Sequence, residues 1–173
     1  MYRIIITPTS DSDMEIYLFR HGIAEDGHAG APDSARELTD EGRRKVASVV
    51  RLARNAGLRP SLILTSPYTR ARQTAQIAAD ELEYKGHIVA AESLVPYGAP
   101  EGAWNTVREH GDESSVLLAG HEPHLSRFTA YLLNAPSLRL DMKKAAIVRI
   151  DLETLRARPH GSLRWMIIPK MIA

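Results

Sequence analysis

The sequence predicts an α/β fold, an open and mostly parallel sheet with helices on both faces. Apolar runs short enough for buried strands, at 14–19, 61–65 and 114–120, alternate with segments of helical periodicity. These runs lack the regular polar alternation of a sheet wetted on one side, as expected of strands covered on both faces. The chain of 173 residues, 44% hydrophobic and 25% charged, is long enough for one full core and too short for two comfortable ones.

Taken in order, residues 1–13 (MYRIIITPTSDSD) read as a loosely attached leader, with Met14 a candidate native start. The apolar stretch in that leader is far shorter than a signal peptide needs, and no other segment has the length to span a bilayer. MEIYLF, 14–19, is the first strand. Ile23 to Leu38, rich in Gly, Ala, Asp and His, is a long loop of the kind that carries function in compact domains. Thr39 then caps a helix with Asp40 and Glu41 in its first turn. Val46, Val49, Val50 and Ala53 form its apolar face, and Gly57 is its stop.

SLILT, 61–65, is the second buried strand. Ser66 and Pro67 read as N-cap and first residue of a helix whose face is Ala71, Ala75, Ala78 and Leu82. A shorter strand, His87 to Ala91, and a short helix, Gly102 to His110, come next. SSVLLAG, 114–120, is another buried strand, and Pro123 opens a helix with Leu125, Phe128 and Leu132 on one side. KKAAIVRIDL and SLRWMIIP form an antiparallel pair at the end of the chain. Residues 14–173 thus read as one domain.

Bulk properties exclude several classes. A formal net charge of +1 gives no ground for a nucleic-acid or membrane partner. With no cysteine there is neither a disulfide nor a thiolate metal site, which is compatible with a cytoplasmic setting.

The chemistry sits where strands stop. The first strand runs into Arg20-His21-Gly22, the second leads through Ser66-Pro67 to Arg70, and 114–120 ends at His121. In open α/β sheets the ligand crevice lies at the carboxyl ends of the strands, so these residues are placed to converge. Arg70 falls in the first turn of a helix, where a cation is mildly disfavoured. It either points into water at a small cost or meets an anion that reverses the sign. A single histidine at a strand end is an ordinary structural residue. Two histidines and two arginines at three strand ends suit phosphoryl transfer to histidine, because arginine forks hold phosphate oxygens and neutral imidazole is a nucleophile near pH 7.

No P-loop, GxGxxG or GxSxG motif is present. His121-Glu122-Pro123-His124 lacks the helical spacing of known zinc motifs, though His121 and His124 leave a metal-dependent hydrolase as a rival.

LFRHG, LTSPYTRARQTA and LLAGHEPHLS resemble, in order and context, the signature blocks of the histidine phosphatase (phosphoglycerate-mutase-like) superfamily. The short length and the ending KKAAIVRIDL…GSLRWMIIPK are similar to bacterial phosphohistidine phosphatases of the SixA type. The resemblance spans about Met14 to Lys170. It implies a three-layer α/β/α sandwich and a reaction without metal or other cofactor. His21 would be the transiently phosphorylated nucleophile, Arg20 and Arg70 would bind phosphoryl oxygens, and His121 would complete the pocket. Phosphate or sulfate would be its small occupants.

Many superfamily members carry a glutamate general acid in an LxE segment after the strand that here ends near Ala91. This chain reads Glu92-Ser93-Leu94-Val95-Pro96, with Glu92 as a possible substitute. A P–N bond to imidazole is labile and tolerates a missing acid, whereas an alkyl phosphate needs the proton. The stretch from Glu92 to Ser114 is also too short for a helical lid. Both departures point to phosphohistidine on a partner protein. The alternatives are a phosphate-sensing module without turnover and a phosphatase of small activated phosphoesters.

Overall fold

The computed structural model describes residues 14–172. The leader expected over 1–13 lies outside the described residues. Six strands form one sheet: β1 (Met14–Arg20), β2 (Leu62–Thr65), β3 (Ile88–Ala90), β4 (Ser115–Gly120), β5 (Ile147–Leu152) and β6 (Gly161–Ile167). The order across the sheet is β3-β2-β4-β1-β5-β6. The first four neighbours run parallel, whereas β5 is antiparallel to β1 and β6 to β5. The mostly parallel sheet with an antiparallel end is therefore as expected.

Alternation along β1 shows why the sheet needs two covers. Tyr17 and Phe19 face α1 (Asp40–Asn55) and α2 (Thr69–Glu81), in a cluster with Val46, Val50, Ala75 and Ala78. Ile16 and Leu18 face α3 (Pro100–Glu109) and α4 (His124–Leu132), in a cluster with Trp104, Val107, Leu125 and Phe128. All four of these β1 side chains are fully buried. Burying one such side chain contributes about 1.5–3 kcal/mol, so both helical layers are held by the same period-two pattern. No helix among the described residues is long and apolar enough to cross a membrane.

The α1 boundaries match their signals. Thr39 Oγ1 accepts from the Gly42 N–H, and the helix ends in a Schellman motif at Gly57, φ +98°. Its two closing bonds run from Gly57 N to Arg54 O and from Leu58 N to Ala53 O. The α2 start differs from the expectation. The helix begins at Thr69, with Tyr68 as N-cap, rather than at Pro67. Ser66 is still part of the sheet ladder, donating its N–H to Ala119 O, and its hydroxyl accepts from the Tyr68 N–H. Arg70 nevertheless stays in the first turn.

Strand register aligns the carboxyl ends of the central strands. Arg20 pairs with Gly120 across β1 and β4, and Thr65 pairs with Ala119 across β4 and β2. The three strands therefore stop together, and the next residues, His21, His121 and Ser66, emerge side by side. Between β3 and β4 the chain forms a 3-10 turn, Glu92–Leu94, and α3, whose Ala103, Trp104 and Val107 are committed to the core.

Candidate active site

His21 leaves β1 with its backbone held on two sides. Its N–H donates to Gly120 O at 3.0 Å, and its carbonyl accepts from Ala145 N at 3.0 Å. The next residue, Gly22, is closely confined: a Cβ there would stand 2.8 Å from Val46 Cγ2 and 3.0 Å from Gly42 O. Gly22 also donates its N–H to Thr74 Oγ1. The imidazole is thereby fixed at both ends. Nδ1 lies 2.7 Å from Gly22 O, which assigns the proton to Nδ1. The Nε2 lone pair then faces the Arg70 Nε–H at 3.3 Å.

His21 is buried and its pKa is lowered to about 4, chiefly by that burial and then by the charges of Arg70, Arg20 and Lys144, against the favourable Gly22 carbonyl. At neutral pH the ring is uncharged, and the lone pair of Nε2, which meets the Arg70 Nε–H, is that of a competent nucleophile.

His121 faces it, with ring centroids 5.0 Å apart. Its Nε2 is 2.8 Å from Ser66 Oγ, while its buried Nδ1 has no hydrogen-bond partner among the described residues. Burial first, then the His21 ring and Arg70, lower its pKa to about 3. Tyr68 packs edge-on against this imidazole at 5.0 Å and lies under the Arg70 guanidinium at 5.1 Å.

The two arginines differ in what occupies them. Arg70 is buried, and its fork is taken up by Asp33: Nη1 donates to Asp33 O at 2.6 Å and Nη2 to Asp33 Oδ2 at 2.8 Å. Among the described residues, Arg20 donates only Nη1, to Met142 O at 2.6 Å, and its buried Nε–H has no partner. An unpaired guanidinium donor in a protein interior is uncommon and invites an anion. The structure thus brings His21, Arg70 and His121 together at the carboxyl ends of the central strands, with the charge of Arg20 acting on His21.

Glu92 takes no part in this network. It begins the 3-10 turn after β3, exposed, and its carboxylate makes no hydrogen bond or ion pair among the described residues. His124 is fully buried, stacked flat on Phe128 at 6.0 Å, and neither ring nitrogen makes a hydrogen bond. No group of three metal-ligating side chains is found among the described residues, so His121 and His124 lack a third ligand there. Sequence reasoning missed Asp33 and the second role of Ser66. Asp33 carried one local signal, an acid just after Pro32 in the long loop, but its partner lies far along the chain.

Comparison with known proteins agrees with this picture. The pattern of the histidine phosphatase superfamily (branch 1) matches residues 16–102. An uncharacterized protein of Picosynechococcus is 35% identical over 150 residues, covering 85% of this chain and 90% of that one. The structure of the protein histidine phosphatase SixA complexed with tungstate superposes with a TM-score of 0.82 at 24% identity, covering 92% of this chain and all of the other. The mycobacterial glucosyl-3-phosphoglycerate phosphatase gives 0.66 at 15% identity over 87% of this chain and 97% of its own. At such identities the structural likeness concerns the fold.

Proposed function

The chain belongs to the histidine phosphatase superfamily, and from that premise we propose a metal-independent phosphatase acting on phosphohistidine in a partner protein. The observation that carries the reading is the state of His21. It is neutral, its proton is held on Nδ1 by the Gly22 carbonyl, and Nε2 is presented beside Arg70.

The reaction proceeds in two displacements. Nε2 of His21 attacks phosphorus as the P–N bond of the substrate breaks, and the leaving imidazole nitrogen takes up a proton. Arg20 and Arg70 neutralise charge on the equatorial oxygens, and His121 closes the fourth side. Because Nδ1 keeps its proton, phospho-His21 is a cationic phosphoimidazole with a weakened P–N bond. Water then attacks phosphorus, His21 departs with its lone pair, and orthophosphate is released. Of the two protons of the water consumed overall, one ends on the substrate imidazole and one on phosphate.

Two features support phosphohistidine over alkyl phosphate. Among the described residues, no carboxylic acid stands in the His21 hydrogen-bond network other than Asp33, which is ion-paired to Arg70. Glu92 is the residual candidate for a proton donor. The segment following β3 is spent on α3 rather than on a cover. Small activated phosphoesters are the second reading, since a sugar-phosphate phosphatase shares the fold.

The test is direct. Incubation with radiolabelled phosphohistidine protein and rapid alkaline quench should trap acid-labile, alkali-stable phosphate on His21. An active His21→Ala variant would sink the mechanism. Binding of phosphate with no turnover of any phosphoramidate or activated phosphoester would leave only the sensing module.

A further inference from the structure

Beside the phosphate pocket lies a groove of about 500 Å³ whose wall includes Arg20. Its floor is apolar, made by Ile23 and Ile168, and its rim carries Lys45, Lys143, Lys144 and Lys170. The four lysines come from α1, the turn before β5, and the 3-10 turn Pro169–Met171 after β6. The concentration is local, since the whole chain has a formal net charge of only +1. Carboxylates of this chain match just two of the four lysines: Glu41 pairs with Lys45 and Asp141 with Lys143. Lys144 and Lys170 are exposed and make no ion pair among the described residues.

The groove is tied to the nucleophile. The turn that carries Lys143 and Lys144 ends at Ala145, whose N–H donates to the His21 carbonyl. Ala145 holds a left-handed φ of 60°, which sets the direction of that turn. Arg20, which lines the groove, directly precedes His21, so a protein presenting a phosphoryl group to His21 lies beside this surface.

We propose that the groove docks the protein that bears the phosphohistidine, taking an aliphatic side chain on its floor and carboxylates on its lysine rim. This deepens the preceding reading and rests on it. An apolar centre with a charged rim is the anatomy of a protein interface. Lysines act there as point charges that accelerate encounter with an acidic partner, in contrast to the arginine forks that grip phosphate inside the pocket.

The experiment compares two synthetic phosphohistidine peptides, one flanked by Glu and Leu and one with Gln replacing Glu, alongside free phosphohistidine. Wild-type kcat/KM should favour the acidic peptide by about three- to tenfold at low ionic strength, and salt should erase the preference. K143E/K170E should lose that preference through KM while turning over free phosphohistidine at the wild-type rate. Lys144 is left intact because its charge reaches His21. Equal wild-type rates on both peptides, or equal losses by the variant on all three substrates, would overturn docking alone. A wild-type enzyme inert towards free phosphohistidine as well would overturn the functional reading and docking with it. Equal peptide rates, with wild type but not K143E/K170E retained on phosphatidylserine vesicles, would assign the surface to a membrane and overturn the proposal.

Discussion

The two ends of β1 carry comparable charge and handle it in opposite ways. At the amino end, Arg149 of β5 is matched on both sides. It donates to Glu15 at 2.6 Å and to Asp151 at 2.7 Å, and its guanidinium lies 5.8 Å from the Tyr17 ring. At the carboxyl end, among the described residues, Arg20 keeps an unpaired Nε, His121 keeps an unpaired Nδ1, and one exposed aspartate is the only carboxylate on Arg70. A cation satisfied by its own chain serves the fold. One left short of partners in a buried site is stabilised only when an anion arrives.

That contrast can be tested in descending order of effect. Arg70→Lys removes the fork proposed to hold equatorial phosphoryl oxygens and should lower kcat/KM by about 10²–10³-fold with little change in stability. Unchanged kinetics would place Arg70 on the structural side of the comparison.

Acid should next abolish both activity and part of the stability. His21 and His121 have pKa values of about 4 and 3, below their ordinary 6.5. Between roughly pH 6.5 and 4 the unfolded chain binds more protons than the folded one, so stability falls as pH falls through that window. Over the same window kcat/KM should stay level, then drop near pH 4 as Nε2 is protonated. A half-maximal point near 6.5 would contradict the buried, neutral nucleophile.

Arg149→Met leaves Glu15 and Asp151 facing each other and should cost about 1–2 kcal/mol in denaturant midpoint with no loss of activity. Asp33→Asn weakens the carboxylate that competes for Arg70. Inhibition by inorganic phosphate should tighten by about three- to tenfold, and weaker inhibition would recast Asp33 as the residue that positions the guanidinium. The smallest effect is expected away from both ends. Glu83 closes α2 in a left-handed conformation, φ 55°, so Glu83→Gly should add about 0.5–1 kcal/mol of stability, leaving kinetics unchanged.

Much of this architecture was legible because its signals are local. The caps and stop of α1, the buried faces of α2 and α4, and the closing antiparallel pair come from residue types a few positions apart. The α2 start was misread because Ser66-Pro67 looks like a cap within its own neighbourhood. The residue instead continues a ladder to Ala119 and turns its hydroxyl to His121, partners that no short window contains.

Arg20, His21, Arg70 and His121 could be named from the chain because strand ends interrupted by cations and imidazoles are conspicuous in one dimension. Their protonation, their unpaired donors, the Asp33 contact and the lysine-rimmed groove could not. Hydrophobic period and capping act over a turn or a strand, so they are written into consecutive residues. Charge balance and burial are sums over whatever long-range packing brings together, and they exist only after β1, β2 and β4 have stopped in register.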